Sequence, residues 1–281
     1  VGIWDMETGE AYHSQQMAAM LGYAEGELGA NREAWAAIVH PDDLADANRQ
    51  IAILNAHPDS PYATTFRVKA RDGSQRWIES RGRVIEHRNG KVLRMAGTHL
   101  DITERRQYQQ QLEHIAHYDS LTGLPNRVLL ADRLQQAMLH TQRQGRTVAV
   151  AYIDLDGFKA INDQYGHDTG DQLLTSLSGH MKRALREGDT LARMGGDEFV
   201  AILRDLTDAT STTPLLARLL AAAGEAFHTG GHVLRVSASL GVTFYPQADG
   251  VEADQLLRQA DQAMYQAKLA GKNRYHVFDN E

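Results

Sequence analysis

The sequence predicts an α+β protein in two parts, an antiparallel sheet with helices on one face followed by an α/β sandwich, joined by a helical linker. Three observations predict it. Strand-like runs in the first hundred residues are punctuated by Asp72-Gly73 and Asn89-Gly90, both strong hairpin signals. A stretch free of glycine and proline, "ERRQYQQQLEHIAHYDS", follows and is rich in helix formers. From Asp119 onward, helical patterns alternate with apolar strands of the kind buried on both faces.

Taken in order, "GIWDMETGE" reads as a strand entering a turn, and "SQQMAAMLGY" carries helical spacing. "YATTFRVKARDGSQRWIESRGRVIEHRNGKVLRMAGTHLDIT" gives three strands of a meander. In the linker, Tyr108, Leu112 and Ile115 fall at spacings of four and three, a narrow apolar seam. That spacing fits a coiled-coil dimer, and equally a helix packed on its own domain. Next come a helix ("RVLLADRLQQAMLHTQRQG"), an all-apolar strand ("VAVAYI") and a second helix ("GDQLLTSLSGHMKRALREG"). A hairpin around "ARMGGDEFVAIL", a helix ("PLLARLLAAAGEAF"), a strand pair ("VLRVSASLGVTFY") and a closing helix ("EADQLLRQADQAMYQAKLAG") complete the chain.

Composition narrows the function. The 281 residues are 42% hydrophobic and 23% charged, enough for substantial cores. The longest apolar candidate for a membrane span, "LLARLLAAAGEAF", is too short and carries Arg218. The absence of cysteine removes disulfides, thiolate metal sites and cysteine nucleophiles, and fits a reducing, cytoplasmic compartment. A net charge of −7 argues against a nucleic-acid polymer as partner. It does not argue against a nucleotide, because a metal ion can bridge acidic protein and phosphate.

Two acidic clusters sit where strands end. In "YIDLDGFKAIND" a strand delivers Asp154 and Asp156 into a turn at Gly157. In the hairpin, Gly195-Gly196 supplies a positive-φ turn and leaves Asp197 and Glu198 at its tip. If the strands are neighbours, Asp154, Asp197 and Glu198 converge on a small volume, and three carboxylates that close require a cation. An all-oxygen donor set suits Mg²⁺ or Mn²⁺. Solvated turn acids are the plainer reading of each cluster alone. Free N–H groups at Gly157, Phe158 and Lys159, ahead of a helix, suit phosphate. Lys268 and Lys272 flank a helix C-terminus with Gly271 as its cap. The helix dipole alone also accounts for cations there.

These residues resemble a family. "RMGGDEF", "DSLTGLPNR", "DLDGFKAINDQYGHDTGDQLL", "SASLGVTFYP" and "ADQAMYQAKLAGKNRY" are similar, in order, to GGDEF-domain diguanylate cyclases. The likeness covers residues 119–281 and implies a cyclase- or palm-like fold, a central sheet flanked by helices. It implies condensation of two GTP into cyclic di-GMP and two pyrophosphates across a homodimer, with two Mg²⁺ (or Mn²⁺) per active site. By position, Asp154, the Leu155 carbonyl, Asp197 and Glu198 would hold metal, with Glu198 alternatively the base near the attacking hydroxyl. Gly157, Phe158, Lys159, Lys268 and Lys272 would meet the phosphates. Asn162 and Asp171 would read guanine between Leu121 and Leu174. Relatives that make mixed purine products resemble this chain less at Asp171, where they carry serine. Lys272 departs from the arginine common there, which keeps charge but loses bidentate geometry. "REGD", Arg186 to Asp189, matches the family's Arg-x-x-Asp site for feedback inhibition by cyclic di-GMP. Arg258 to Asp261 has the same pattern, but only the first lies where the family places it. A solvated salt bridge at a helix end is the alternative, and the inhibitory site is the preferred reading.

Residues 1–104 resemble a PAS sensor domain through "LGY", "VHPDD", "FRVKARDGSQRWI" and "GTHLDITERR". The resemblance implies a five-stranded antiparallel sheet with helices across one face, and makes residues 105–118 a signalling helix in a parallel dimer. His13, His40, His57, His87 and His99 are conceivable haem ligands, although a structural or solvated histidine is the preferred reading of each. The sequence does not identify a PAS ligand. An alternative is a noncatalytic GTP-binding module upstream of an EAL phosphodiesterase domain, because the closing residues resemble the lead into such a domain.

Overall fold

The computed structural model describes residues 1–279, and the chain divides into two compact units, residues 1–111 and residues from 112 on. In the first unit, β1 (Gly2–Asp5) and β2 (Ala11–His13) form a hairpin, followed by the helices α1 (Gln15–Met20), α2 (Arg32–Ile38) and α3 (Pro41–Ala56). The strands β3 (Tyr62–Lys69), β4 (Gln75–Arg88) and β5 (Lys91–Asp101) complete an antiparallel sheet in the order β2-β1-β5-β4-β3. Asn31 caps α2 by accepting from Ala34 N at 2.8 Å. Pro41 opens α3, where a missing N–H costs nothing. Leu21, Leu28, Val39, Phe66, Val68 and Ile78 form the core between helices and sheet.

The division falls within the helix α4 (Thr103–His117). Its start is fixed by the first unit: Trp77 N donates to Thr103 Oγ1 at 2.8 Å, and the Arg106 guanidinium lies 3.9 Å from the Trp77 ring centroid. Tyr108, Leu112 and Ile115 are 64, 67 and 65% exposed, so this seam is not packed on the chain's own core.

In the second unit the end of α4 is followed by α5 (Arg127–Gln144), capped by Asn126 Oδ1, which accepts from Val128 N and Leu129 N. The strand β6 (Thr147–Asp156) lies at the centre of the sheet β12-β11-β6-β8-β7. After it come α6 (Phe158–Tyr165), α7 (His167–Ala184), β7 (Thr190–Gly195), β8 (Glu198–Leu206) and α8 (Thr213–Ala223). A small hairpin of β9 (Phe227–Thr229) and β10 (His232–Leu234) precedes β11 (Ser237–Tyr245), α9 (Ala253–Leu269) and β12 (Arg274–Val277). The expected strand pair over "VLRVSASLGVTFY" is therefore corrected: its first part pairs with β9, and only β11 enters the main sheet, antiparallel to β6. Edge strand β12, parallel to β11, has no apolar run to announce it.

Alternation along β6 makes the sandwich. Ala149, Ala151, Ile153 and Leu155 face α7 and α8, while Val148, Val150 and Tyr152 face α5 and α9. On β11, Gly241 is the point of closest approach to α9: an added Cβ would lie 1.9 Å from Ala260 O and 2.0 Å from Met264 N. The absent side chain lets α9 lie directly on the strand, which carries Lys268, one turn past Met264, toward the end of β6. Gly241→Ala is expected to destabilise the chain by about 3 kcal/mol or more, because the obstructing atoms are backbone. Gly250→Ala, where an added Cβ meets nothing within 4 Å, is expected to leave the denaturation midpoint unchanged. Urea unfolding of both variants checks this.

Candidate functional site

Strands β6 and β8 are adjacent, with Asp154 opposite Glu198 in the register. The hairpin between β7 and β8 turns through Gly195 (φ 145°) and Gly196 (φ 51°), a path closed to most side chains. Leu155 N donates to Asp197 O at 3.2 Å, which holds the turn against the end of β6. The acid-bearing ends are thus neighbours. They do not form a ready-made carboxylate cage, however: among the described residues no three or more His, Cys, Asp or Glu side chains are grouped so as to hold a metal ion. Instead, Lys268 Nζ sits 2.8 Å from Asp154 Oδ2. Glu198 is engaged separately, accepting from the Tyr152 hydroxyl at 3.1 Å.

Asp154 is buried, and burial pushes its carboxyl above the usual range. Lys268 pulls it back without cancelling the effect, and the nearby charges of Asp197 and Asp156 push upward again. Burial and the Glu198 carboxylate likewise push the Tyr152 phenol up, so it remains a donor. Asp156 is occupied by structure: Ser237 Oγ and Ser239 Oγ each donate to it at 2.8 Å, and Asn273 N donates at 3.2 Å. That last bond ties down the segment after α9, where Lys272 and Asn273 have φ of 61° and 50°. Two successive non-glycine residues in this region represent stored strain, held by Asp156 and by Lys272 N donating to Ala267 O at 3.1 Å. Ala270 caps α9, and Gly271 stands one residue beyond it.

The remaining anticipated residues lie around α6 and α7. Gly157 caps α6, with Phe158 buried and Lys159 exposed. Asn162 Oδ1 is buried without a hydrogen-bond partner, an unmet acceptor of the sort a ligand donor would satisfy. Its amide abuts α7 at Gly170, where an added Cβ would be 1.8 Å from Oδ1. Asp171 follows on the exposed side of α7, while Leu174 is buried in the core against which Leu121 packs. Arg186 and Asp189 do not form an ion pair with each other. Asp189 instead accepts from Arg186 N at 3.0 Å and Arg204 N at 3.1 Å, leaving the exposed Arg186 side chain outside the ion pairs of the described residues.

Three residues beyond the sequence expectations shape the site. Arg193 donates to Asp119 Oδ1 and Oδ2 at 3.0 and 3.1 Å, and to Gly196 O at 2.8 and 3.0 Å. Burial pushes the Asp119 carboxyl up, but the Thr122 hydrogen bonds and the Arg193 guanidinium outweigh it and hold it below the usual range. Tyr152 is the third, and within an apolar strand nothing marks its hydroxyl as a partner of Glu198.

The sequence profile described as "Diguanylate cyclase, GGDEF domain" matches residues 116–274. The chain belongs to the GGDEF family. A profile of the PAS fold matches residues 10–99. The chain is 43% identical over 171 residues to the bifunctional diguanylate cyclase/cyclic di-GMP phosphodiesterase MucR of Pseudomonas aeruginosa, covering 61% of this chain and 25% of MucR. It is 42% identical over 160 residues to the diguanylate cyclase DgcP of the same organism, covering 57% of this chain and 23% of DgcP. The chain thus spans about a quarter of the length of these relatives. Among solved structures, the GGDEF domain of YfiN (TpbB) from Pseudomonas aeruginosa superimposes with a TM-score of 0.55 at 34% identity, covering 58% of this chain and 95% of that one. Among the described residues no helix is long and apolar enough to cross a membrane.

The raised pKa of Asp154 has a thermodynamic consequence. Its contribution to stability is full below the unfolded carboxyl pKa, about 3.9, and is lost as pH rises through the higher folded value. Asp154→Asn is therefore expected to be more stable than the parent chain at neutral pH without nucleotide or metal. The advantage should shrink as pH falls toward 4. Thermal unfolding of both proteins between pH 4 and 8 measures it.

Proposed function

We propose that the chain condenses two GTP into cyclic di-GMP and two pyrophosphates, one nucleotide held by each protomer of a homodimer. The observation that carries this reading is a buried, cation-demanding carboxylate at Asp154, beside the positive-φ hairpin bearing Asp197 and Glu198. The donors fit a hard divalent cation: carboxylates of Asp154, Asp197 and Glu198 and the Leu155 carbonyl, all oxygen. When bound, Mg²⁺ or Mn²⁺ supplies positive charge to the phosphates and the attacking hydroxyl.

The chain's own residues do the rest. Lys268 pairs with Asp154 in the nucleotide-free protein and would be released to the β- and γ-phosphates if Asp154 held a metal. Lys272, Lys159 and the N–H groups at Gly157 and Phe158 surround the same phosphates. Each ribose 3′-oxygen bonds to the other nucleotide's α-phosphorus as the bond to pyrophosphate breaks, and the hydroxyl proton leaves toward Glu198. Tyr152 orients that carboxylate. Asn162 Oδ1 and Asp171 accept from the donor edge of guanine, which adenine lacks, while Leu121 and Leu174 line the base. The exposed Tyr108, Leu112 and Ile115 seam supports a parallel helical dimer that sets the two half-sites face to face. Arg186, anchored through Asp189, meets cyclic di-GMP in feedback inhibition. The PAS domain, in this reading, governs the dimer through residues 105–118.

Incubation with GTP and Mg²⁺, followed by chromatography, is expected to yield cyclic di-GMP from the parent chain. Glu198→Ala is expected to lower the rate at least about a hundredfold, and Asp171→Ala to weaken discrimination against ATP. GTP binding without product, after removal of any bound cyclic di-GMP, would contradict the cyclase reading.

A further inference from the structure

The chain reverses after α9 through three successive residues of positive φ: Gly271 at 111°, Lys272 at 61° and Asn273 at 50°. Glycine takes such values freely and asparagine tolerates them, whereas lysine rarely does. A lysine in a disfavoured conformation needs surroundings that over-determine it. Here the polar backbone groups on both sides of it are engaged. Lys272 N donates to Ala267 O at 3.1 Å, and the Lys272 carbonyl accepts from Arg274 Nε at 3.1 Å. The next N–H, that of Asn273, donates to Asp156 Oδ2 at 3.2 Å.

Asp156 is itself fixed. It closes β6 two residues after Asp154 and stands opposite Ser237 in the register. Ser237 Oγ donates to the oxygen that also serves Asn273, and Ser239 Oγ donates to the other, each at 2.8 Å. Ser239 is fully buried, which anchors that second oxygen in the core. One carboxylate thereby joins the ends of β6 and β11 to the reversal that carries Lys272. The two lysines at this end differ. Lys268 is paired with Asp154, whereas Lys272 is exposed and, among the described residues, outside the ion pairs. Its ammonium can meet an anion without first losing a partner.

We infer that Asp156 is a positioning residue: acting through the Asn273 N–H, it holds Lys272 where that lysine grips the polyphosphate of the nucleotide. The inference rests on the nucleotide-site reading above and concerns its phosphate end alone. Charge by itself gives Asp156 the opposite role. A carboxylate near phosphates repels them, and Asp156 lies close enough to Asp154 to push that carboxyl up. If only its charge counted, removing it would tighten phosphate binding. If its hydrogen bonds to the reversal decide, removing it weakens binding. The sign of the effect separates the two.

The test uses the full chain with Mg²⁺ and inorganic triphosphate, which has no ribose hydroxyl and so reports the phosphate end without the condensation. Calorimetry is expected to show binding roughly three- to tenfold weaker in Asp156→Ala, the worth of about one hydrogen bond. Asp156→Asn should retain the parent affinity. Its amide oxygen can accept from Asn273 N and Ser237 Oγ while its NH₂ donates to Ser239 Oγ. Lys272→Met should also weaken binding, and adding Asp156→Ala to it should cost nothing further. Far-UV circular dichroism identifies a variant that fails to fold; Asp156→Ser, too short to reach Asn273 N, then replaces the alanine variant. Unchanged or tighter binding in the folded Asp156 variant, unchanged binding in Lys272→Met, additive losses in the double variant, or no saturable binding by the parent chain would each overturn the inference. Cyclic di-GMP formation is followed in parallel. A parent chain that binds triphosphate through Asp156 and Lys272 yet forms no product contradicts the cyclase reading and upholds this inference.

Discussion

A carboxylate buried near the end of a core strand must be matched by positive charge, and the architecture of the C-terminal unit turns on how Asp154 meets that requirement. Desolvation makes its ionised form costly, and Asp197 and Asp156 nearby raise the cost. Lys268 reaches it only because α9 lies against β11 at Gly241, where any side chain would collide with helix backbone. A core-packing feature, the missing Cβ of one glycine, therefore sets the electrostatics of a site at the far end of the helix.

The hairpin is positioned by a second set of contacts that runs back toward α4. Asn126 Nδ2 donates to Ala116 O at 2.9 Å, and Asn126 N to His117 O at 2.9 Å, which joins the last turn of α4 to the start of α5. Between them, Asp119 caps its own turn through Thr122 and receives two hydrogen bonds from Arg193. Arg193 in turn holds the Gly196 carbonyl. The end of the helix and the acidic turn are thus linked by a short chain of charged and capped hydrogen bonds. A movement of α4 has a physical route to Asp197 and Glu198.

Much of this was legible in the sequence. Apolar β6 runs, the Gly195-Gly196 turn and the paired hairpin signals at Asp72-Gly73 and Asn89-Gly90 each encode local structure by short-range sterics or burial, and the elements formed as expected. The β9–β10 hairpin escaped because its strands are three residues each and alternate too briefly to register. Edge strand β12 escaped because its burial is partial and its sequence polar. At the site, the acids and lysines were visible as charges in unusual places. Their pairings were not: the Asp154–Lys268 bridge spans 114 positions, and only the packing of α9 on β11 brings its ends together. The partners of Asp189 were not legible either: its oxygens are taken by the backbone N–H groups of Arg186 and Arg204.

In the proposed mechanism Asp154 takes its counter-charge from Lys268 in the free protein and from a divalent metal in the nucleotide-bound one. Mn²⁺ binding followed by electron paramagnetic resonance, with and without GTP, in the parent chain and Lys268→Met tests it most directly. Tighter Mn²⁺ binding by Lys268→Met is expected without nucleotide, because no ammonium has to be displaced, together with weaker GTP binding. Unchanged or weaker Mn²⁺ binding by the folded variant, with GTP affinity intact, would contradict it.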